Sequence, residues 1–146
     1  MNLAEELKNQ TKDLRVLYVE DEDDTRNQIA QVLSIFFKEV VVGVNGLDAL
    51  EKYKEDVENI DLVMTDLTMP KMDGLTMIKH IKEINEHQHI LVLTAHNSSE
   101  NLMETIDLQL DGFLLKPVKM DKMIELLLKV TKVINLEKKQ IDLSIK

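Results

Sequence analysis

Five short apolar segments, each followed by a longer segment with helical periodicity, constrain the fold of this 146-residue chain more than any other feature. The apolar segments are rich in Val, Ile and Leu, which is typical of strands buried on both faces of a sheet. They are residues 16–19, 40–44, 60–64, 90–93 and 113–115. Because right-handed crossovers place helices on both faces, this order predicts an α/β fold with a doubly wound, five-stranded parallel sheet and five helices.

The five predicted helices are each marked by apolar residues that recur every three or four positions. These stripes cover residues 29–36, 47–53, 77–84, 102–110 and 123–134. Asn45-Gly46, Asp73-Gly74 and Asp111-Gly112 supply turn signals at the joins.

Composition excludes several classes of function. The chain has no Cys, which excludes a disulfide framework and a thiolate metal site. Its net charge of −9 disfavours direct binding to nucleic acid. No apolar run approaches the length of about 18 residues that a membrane span needs, and the N-terminus lacks the pattern of a signal peptide. We therefore expect a cytoplasmic protein that does not engage membranes.

Polar side chains follow four of the predicted strands directly. Acids fill residues 20–24 after the first strand, the third ends in Thr65-Asp66, the fourth in Thr94-Ala95 and the fifth in Lys116-Pro117. Because sites in such sheets lie at the carboxyl ends of the strands, we expect these groups to converge. Clustered carboxylates repel one another unless a cation binds, and oxygen ligands suit Mg²⁺ far better than Zn²⁺.

The acidic residues 20–24 allow two interpretations. Acids at a helix start are also commonly solvated and favoured by the helix dipole, and we assign that role to Asp24 and to Asp23, as the N-cap. Glu20 and Asp21, directly after an apolar strand, are the candidates for a site. The loop contains no Gly, which argues against a preformed cradle for nucleotide or flavin phosphates.

Four sequence segments, in this order and with these spacings, resemble the receiver domains of bacterial response regulators. They are Val16-Leu17-Tyr18-Val19-Glu20-Asp21-Glu22, the segment 61–74 around Asp66, Thr94-Ala95 and Lys116-Pro117. The resemblance covers about residues 14–136 and implies a flavodoxin-like fold of the receiver type. It leaves residues 1–13 as an N-terminal extension and residues 137–146 as a C-terminal tail or the start of a linker.

The resemblance implies a role for each matching residue in phosphoryl transfer. Asp66 is expected to be the nucleophile that accepts a phosphoryl group from a phosphohistidine. Lys116 would neutralise the bound group, and Thr94 would donate a hydrogen bond to it. Thr94 and Phe113 occupy the positions of the family's switch residues, although Phe113 lacks the hydroxyl of the more common Tyr.

The resemblance also implies a metal site. Asp21 and Asp66 would bind Mg²⁺ directly, with Mn²⁺ as an alternative, and the backbone carbonyl of Thr68 would complete the protein ligands. Glu20 stands where many relatives carry Asp, so its longer side chain is expected to reach the metal through water.

The implied function is a phosphorylation-switched signalling domain whose partner is a sensor histidine kinase or a phosphotransfer protein. Such a domain is not an enzyme with a separate substrate, because it catalyses only its own phosphorylation and dephosphorylation. One alternative is a phosphatase or phosphotransferase of the dehalogenase-like kind, but there the nucleophile follows the first strand and a second Asp stands where this chain has Thr68. The other alternative is an inactive pseudo-receiver that serves as an interaction module.

The last helix and the tail allow two interpretations. Five residues step by four, three, four and seven, which is coiled-coil spacing: Met123, Leu127, Val130, Ile134 and Ile141. In the first interpretation the first four face the sheet and the tail frays after Leu136. In the second, the helix continues towards Lys146 as part of a dimer interface or a signalling linker.

Four further residues lie off that stripe, and we expect them to form an exposed apolar patch: Leu126, Leu128, Val133 and Leu136. This patch is the basis for predicting a homodimer through the fourth predicted helix, the fifth strand and the fifth helix. The segment His87-Gln88-His89 is interpreted as a solvated loop and not as a metal chelator.

Overall fold

The computed structural model describes residues 2–67, 69, 71–95 and 108–145. From the first helix to the fourth strand its helices and strands alternate, with one short 3-10 turn at Val57–Asn59. They are α1 (Leu3–Thr11), β1 (Arg15–Val19), α2 (Asp23–Phe36), β2 (Glu39–Gly43), α3 (Gly46–Glu55), β3 (Leu62–Asp66), α4 (Gly74–Ile84), β4 (His89–Thr94), β5 (Gly112–Leu115) and α5 (Met120–Ile145).

The five strands form one parallel sheet in the order β2-β1-β3-β4-β5. This arrangement confirms the predicted doubly wound α/β fold. The third strand begins two residues later than predicted, at Leu62. Just before this strand, the carboxylate of Asp61 accepts the backbone N–H of Arg15 at 2.8 Å, and the backbone N–H of Asp61 donates to the carbonyl of Arg15 at 2.9 Å.

The sheet is covered on both faces because the side chains of each strand alternate between them. In β1, Val16 and Tyr18 join the buried cluster beneath α1, α2 and α5, whereas Leu17 and Val19 join the cluster beneath α3 and α4. Four of the five predicted helices correspond to α2, α3, α4 and α5. Most of the remaining one, at residues 102–110, lies outside the described residues.

The N-terminal helix α1 packs as part of the core. Leu7 is buried, and the hydroxyl oxygen of Thr11 lies 2.8 Å from the carbonyl oxygens of both Leu7 and Phe36, which share its one O–H donor. Asn135 of α5 donates a hydrogen bond to the carbonyl of Gln10 at 2.8 Å. Helix α1 therefore fastens the end of α2 to the middle of α5.

Helix α5 runs without a break to Ile145, so the interpretation in which the tail frays after Leu136 is wrong. The expected division of its apolar stripe is confirmed, because its first four members are buried and Ile141 is 58% exposed. The prediction of an exposed apolar patch outside this stripe is correct for two of its four residues. Leu128 is buried in the same cluster as Leu7 of α1, and Leu126 is partly buried, while Val133 and Leu136 are exposed.

Candidate functional site

Three carboxylates meet at the carboxyl edge of the sheet. Glu20 and Asp21 directly follow β1, and Asp66 ends β3, the strand paired with β1. One carboxylate oxygen from each residue lies within 4.8 Å of the others. Glu20 is buried, Asp66 is partly buried and Asp21 is exposed, so the cluster opens to solvent on one side. The structure thus brings together the three acids that the sequence places at neighbouring strand ends.

Lys116 reaches into this cluster from β5. Its backbone N–H donates to the carbonyl of Thr94 at 2.9 Å, which extends the pairing of β4 and β5 by one residue. Its ammonium nitrogen lies 2.6 Å from Glu20 Oε1 and 2.8 Å from Asp66 Oδ2. The Lys116–Pro117 peptide bond is cis. One cation is therefore shared between two of the three acids.

The electrostatics of the cluster show a shortage of positive charge. Burial raises the pKa of Glu20, and the charge of Asp66 adds to this, while Lys116 opposes it. Burial on its own would lower the pKa of Lys116, but the hydrogen bonds and charges of Asp66 and Glu20 raise it overall. Burial and then the charge of Glu20 raise the pKa of Tyr18, two residues before Glu20. A further cation would relieve this excess of negative charge.

The donor set suits a hard divalent cation. Carboxylate oxygens at this separation are the ligands that Mg²⁺ accepts, and the exposed Asp21 leaves room for the waters that this ion retains. Thr68, whose backbone carbonyl is the fourth expected ligand, lies outside the described residues. The three acids present therefore fit Mg²⁺.

The two expected switch residues lie on the strands beside the cluster. Thr94 ends β4 and is buried, and its Cα pairs with that of Leu115 in β5. Phe113 is partly buried and packs against the cluster beneath α3 and α4. Through β5, Phe113 is three residues from Lys116, so the strand joins the aromatic ring to the acid cluster.

Gly74 lets the chain close tightly behind Asp66. The N–H of Gly74 donates to the carbonyl of Leu67 at 2.7 Å, while the side chain of Asp73 caps α4 by accepting the N–H of Thr76. A Cβ atom at residue 74 would lie 2.0 Å from the carbonyl oxygen of Asp66, which is far inside van der Waals contact. Any larger residue would push the backbone at the end of β3 aside.

Arg26 is a site residue that the sequence reasoning missed. Its guanidinium donates to the carbonyls of Glu20 at 3.0 Å and Asp21 at 3.4 Å, and it also pairs with Asp23. Helix α2 begins at Asp23 with Glu22 as its N-cap, so the assignment of Asp23 as the N-cap is wrong. The signal available in the sequence is the first basic residue after five consecutive acids, one helical turn into α2.

A groove of about 570 Å³ opens beside Lys116, between α2 and the first turn of α5. Its wall combines polar and apolar side chains: Glu22, Thr25, Gln28, Ile29, Val32, Ala95, Lys116, Pro117, Val118, Met120 and Met123. The surface next to Lys116 therefore offers apolar contacts as well as polar ones.

The opposite, amino edge of the sheet corrects the expectation for residues 87–89. His87 is exposed, as a solvated loop requires. Gln88 is buried and accepts a hydrogen bond from the hydroxyl of Tyr53 at 2.7 Å. His89 begins β4 and contacts two carboxylates, those of Asp111 and Glu137.

Comparison with known proteins identifies the domain. The family model for the response regulator receiver domain matches residues 16–128. The chain belongs to the response regulator receiver domain family. Domains of this family are phosphorylation-switched signalling modules of two-component systems, and they bind Mg²⁺ through acidic residues. Among the described residues, no helix is both long and apolar enough to cross a membrane.

Two relatives that the chain matches over most of their length are chemotaxis proteins. The receiver is 34% identical over 119 residues to the chemotaxis protein CheY of Treponema pallidum, a match that covers 81% of this chain and 83% of the relative. It is 36% identical over 112 residues to CheY of Bacillus subtilis, covering 76% and 92%.

Solved structures of receivers share the fold. A CheX-CheY-BeF3-Mg+2 complex from Borrelia burgdorferi contains a chain with a TM-score of 0.78 and 27% identity, covering 85% of this chain and 97% of that one. The N-terminal domain of a protein from Wolinella succinogenes matches with a TM-score of 0.77 and 29% identity, covering 86% and 98%.

Proposed function

We propose that Asp66 accepts a phosphoryl group from the phosphohistidine of a sensor histidine kinase or phosphotransfer protein. The observation that carries this proposal is the position of its carboxylate, which shares the ammonium of Lys116 with Glu20 and lies beside Asp21. On this proposal the chain catalyses only its own phosphorylation and dephosphorylation. It has no separate substrate to turn over.

The side chains of the cluster divide the work of the transfer. A carboxylate oxygen of Asp66 attacks phosphorus, so that a P–O bond forms while the P–N bond to the donor histidine breaks. Lys116 neutralises charge on the phosphoryl oxygens, and the hydroxyl of Thr94 donates a hydrogen bond to one of them. Bound Mg²⁺, or Mn²⁺, would neutralise further charge. Glu20, Asp21, Asp66 and the backbone carbonyl of Thr68 would hold it.

Phosphorylation should alter the contacts that Lys116 makes in the unmodified chain. The new phosphoryl oxygens compete with Glu20 and Asp66 for its ammonium, and they attract the hydroxyl of Thr94. Because β4 carries Thr94 and β5 carries Phe113, a shift at either strand end changes the surface around the aromatic ring. We infer that this surface signals the phosphorylated state through packing, since Phe113 has no hydroxyl.

The partner of the switch is expected to be a protein. The groove beside Lys116 has a mixed polar and apolar lining that suits a protein surface. The net charge of −9 argues against direct binding of nucleic acid by this domain. Residues 14–136 are proposed as the receiver domain, flanked by the extension 1–13 and the tail or linker start at 137–146. We place the protein in the cytoplasm, where its phosphodonors would be.

Self-association is a further part of this proposal. The expected interface comprises the predicted helix at 102–110, β5 and α5, and phosphorylation is expected to strengthen it. Sedimentation of about 100 µM protein with and without beryllofluoride, a phosphoryl mimic, measures the effect. A monomer in both states at that concentration would exclude all but weak dimers.

Labelling of the intact protein tests the phosphoacceptor. With Mg²⁺ and acetyl phosphate, the parent protein should gain one phosphoryl group that hydroxylamine removes. Asp66→Asn should abolish the gain because an amide is a poor nucleophile. Asp24→Asn, the same chemical change at an exposed acid outside the cluster, should label like the parent.

Two results would contradict the proposal. Full labelling of Asp66→Asn would exclude Asp66 as the acceptor. Repeated turnover of a phosphomonoester by the parent would favour the alternative of a phosphatase, since a receiver is labelled stoichiometrically.

A further inference from the structure

The amino edge of the sheet lies at the opposite end of the strands from the acid cluster. At that edge, one histidine lies between two carboxylates. His89 Nδ1 is 2.9 Å from Asp111 Oδ1, and His89 Nε2 is 2.7 Å from Glu137 Oε2. Asp111 precedes β5, whereas Glu137 belongs to α5. A single imidazole therefore connects the start of β4 to the neighbouring strand and to the last helix.

The geometry requires both ring nitrogens of His89 to carry a proton. An ionised carboxylate only accepts hydrogen bonds, and a neutral imidazole has one N–H donor. Two short contacts to two carboxylates are satisfied together only by the imidazolium ion. The hydrogen bond to Asp111, with a smaller contribution from Glu137, raises the pKa of His89 to about 9 although burial opposes this. The ring is consequently charged at neutral pH.

A second ion pair lies one residue further along α5. Lys138 Nζ is 2.6 Å from Asp61 Oδ1, and the other oxygen of Asp61 accepts the N–H of Arg15. Glu137 and Lys138 thus fix α5 to β4 and to the residue before β3. Five side chains make these contacts, and we call them the amino-edge clamp: His89, Asp111, Glu137, Asp61 and Lys138.

Other charged groups nearby do not replace these contacts. Lys82 of α4 donates to the carbonyls of Gln88 and Gln109, and the charge of Asp111 acts on it. His87 is exposed and close to Glu86. The backbone holds Asp111 in place, since its Oδ2 accepts the N–H of Ile90 at 2.7 Å. Of the two partners of His89, Glu137 is therefore the one free to leave without disturbing the sheet.

Residues 139–143 of α5, which follow the clamp, are exposed, including the apolar Ile141 and Leu143. A helical segment that buries little apolar surface gains little stability from packing. The contacts made at Glu137 and Lys138 therefore contribute to its order.

We propose that protonated His89 closes a pH-dependent clamp that holds α5 from Glu137 onward against the amino edge of the sheet. Loss of the ring proton removes one of the two hydrogen-bond donors, and Asp111 retains the other. Within the clamp, the segment 137–145 is then held only by the ion pair of Lys138 with Asp61, so it frays more readily, while the sheet and α5 up to Ile134 stay packed. The device acts apart from Asp66 and does not depend on the phosphorylation proposed above.

Release is coupled to proton loss in a definite direction. The docked state binds the proton more tightly than the released state, which lacks Glu137 as a partner. The clamp is therefore closed at neutral pH and opens as pH rises through about 9. A change that removes the charge of Glu137 should shift the opening towards lower pH.

Spin labels on two exposed positions of α5 test the proposal, because the chain has no Cys of its own. Asp142→Cys carries the label beyond the clamp, and Lys129→Cys carries it before the clamp. Between pH 7 and pH 10, the label at 142 should become mobile with a midpoint near pH 9. The label at 129 should keep its spectrum throughout.

Three variants sharpen the test. His89→Gln should make the label at 142 mobile already at pH 7, and Glu137→Gln should lower both the midpoint and the NMR-measured pKa of His89 by about one unit. Glu125→Gln, a matched change on the exposed face of α5, should leave both values unchanged. The half-exposed Glu137 gives a variant that folds even if the His89 variant does not.

The proposal is overturned if the label at 142 has the same mobility at pH 7 and pH 10 in the parent protein. It is equally overturned if the pKa of His89 lies below 7, or if Glu137→Gln leaves both measured values unchanged.

Discussion

Carboxylates lie close together at both edges of the sheet, but cations balance their charge to different extents. At the carboxyl edge, Lys116 lies between Glu20 and Asp66. At the amino edge, His89 lies between Asp111 and Glu137. Each edge therefore uses one cation to join two carboxylates that come from different strands or helices.

The third acid distinguishes the edges. Asp61 at the amino edge has its own cation, Lys138, and also accepts a backbone N–H. Asp21 at the carboxyl edge adds an exposed carboxylate to a cluster in which one ammonium already serves two acids. The amino edge is close to charge balance, whereas the carboxyl edge is short of positive charge. Because of this difference in charge balance, the amino edge holds a helix in place, whereas the carboxyl edge is ready to bind a cation.

The largest effect on stability is expected from Lys116→Met. Removing the ammonium leaves Glu20 and Asp66 close together without a cation, and breaking such a pair is strongly destabilising. In the absence of Mg²⁺, the free energy of unfolding should fall by about 3 kcal/mol, and Mg²⁺ should restore part of it. Denaturant unfolding with and without Mg²⁺ measures both.

Lys138→Met is the matched change at the amino edge. Because Lys138 is half-exposed, this variant should lose less than about 1 kcal/mol and show no added response to Mg²⁺. Equal losses in the two variants would remove the proposed distinction between the edges.

A comparison of Asp21→Ala with Asp61→Ala should give effects of opposite sign on stability. Asp21→Ala removes a metal ligand and should weaken Mg²⁺ binding at least about tenfold in titration calorimetry. Without metal it should preserve or raise stability, since it relieves repulsion. Asp61→Ala removes the acceptor of Arg15 and the partner of Lys138, so it should cost about 2 kcal/mol with unchanged Mg²⁺ affinity. Unchanged Mg²⁺ affinity in Asp21→Ala would exclude Asp21 as a ligand.

The residues of the carboxyl edge could be predicted from the sequence because each is placed by the strand that directly precedes it. A buried strand is a run of apolar residues, and the residue that ends it or directly follows it lies at the sheet edge. Glu20, Asp66 and Lys116 each stand at such a position, so finding the strands was enough to bring them together. The spacing of the four segments then gave the family. Thr68 and most of the helix predicted at 102–110 lie outside the described residues, so those expectations stay predictions.

The amino edge could not be predicted because its contacts join residues far apart in sequence. His89 meets partners 22 and 48 positions away, and Asn135 meets Gln10 across 125 positions. No periodicity marks such pairs. The same reason explains Leu128, which a helical wheel leaves off the core stripe but which α1 helps to bury. Position on one helix cannot reveal a second helix that packs on its other side.

The free energy of unfolding should depend on pH because His89 at the amino edge loses its proton. Its folded pKa of about 9 lies above the ordinary value of 6.5, so its contribution is complete below pH 6.5 and is lost as pH rises through 9. Because Glu137 is half-exposed, we expect a loss of about 1 kcal/mol across this interval. Unfolding measured from pH 6 to pH 9.5 should show the decline in the parent protein. The decline should be absent in His89→Gln, and a parallel decline in that variant would assign it to other groups.

The smallest effect is expected beyond the clamp, where Leu143 is 65% exposed. Leu143→Gln removes no buried apolar surface and keeps a helix-favouring side chain, so stability should change by less than about 0.5 kcal/mol. Leu128→Ala, on the same helix but buried beside α1, should cost about 3 kcal/mol because it leaves a cavity. Denaturant unfolding of both variants locates the point along α5 where packing ends. A loss above about 1 kcal/mol in Leu143→Gln would mean that the last turns of α5 are held by apolar contacts. The charged pairs at Glu137 and Lys138 would then not be what orders them, and the amino edge would have to be described as a packed surface.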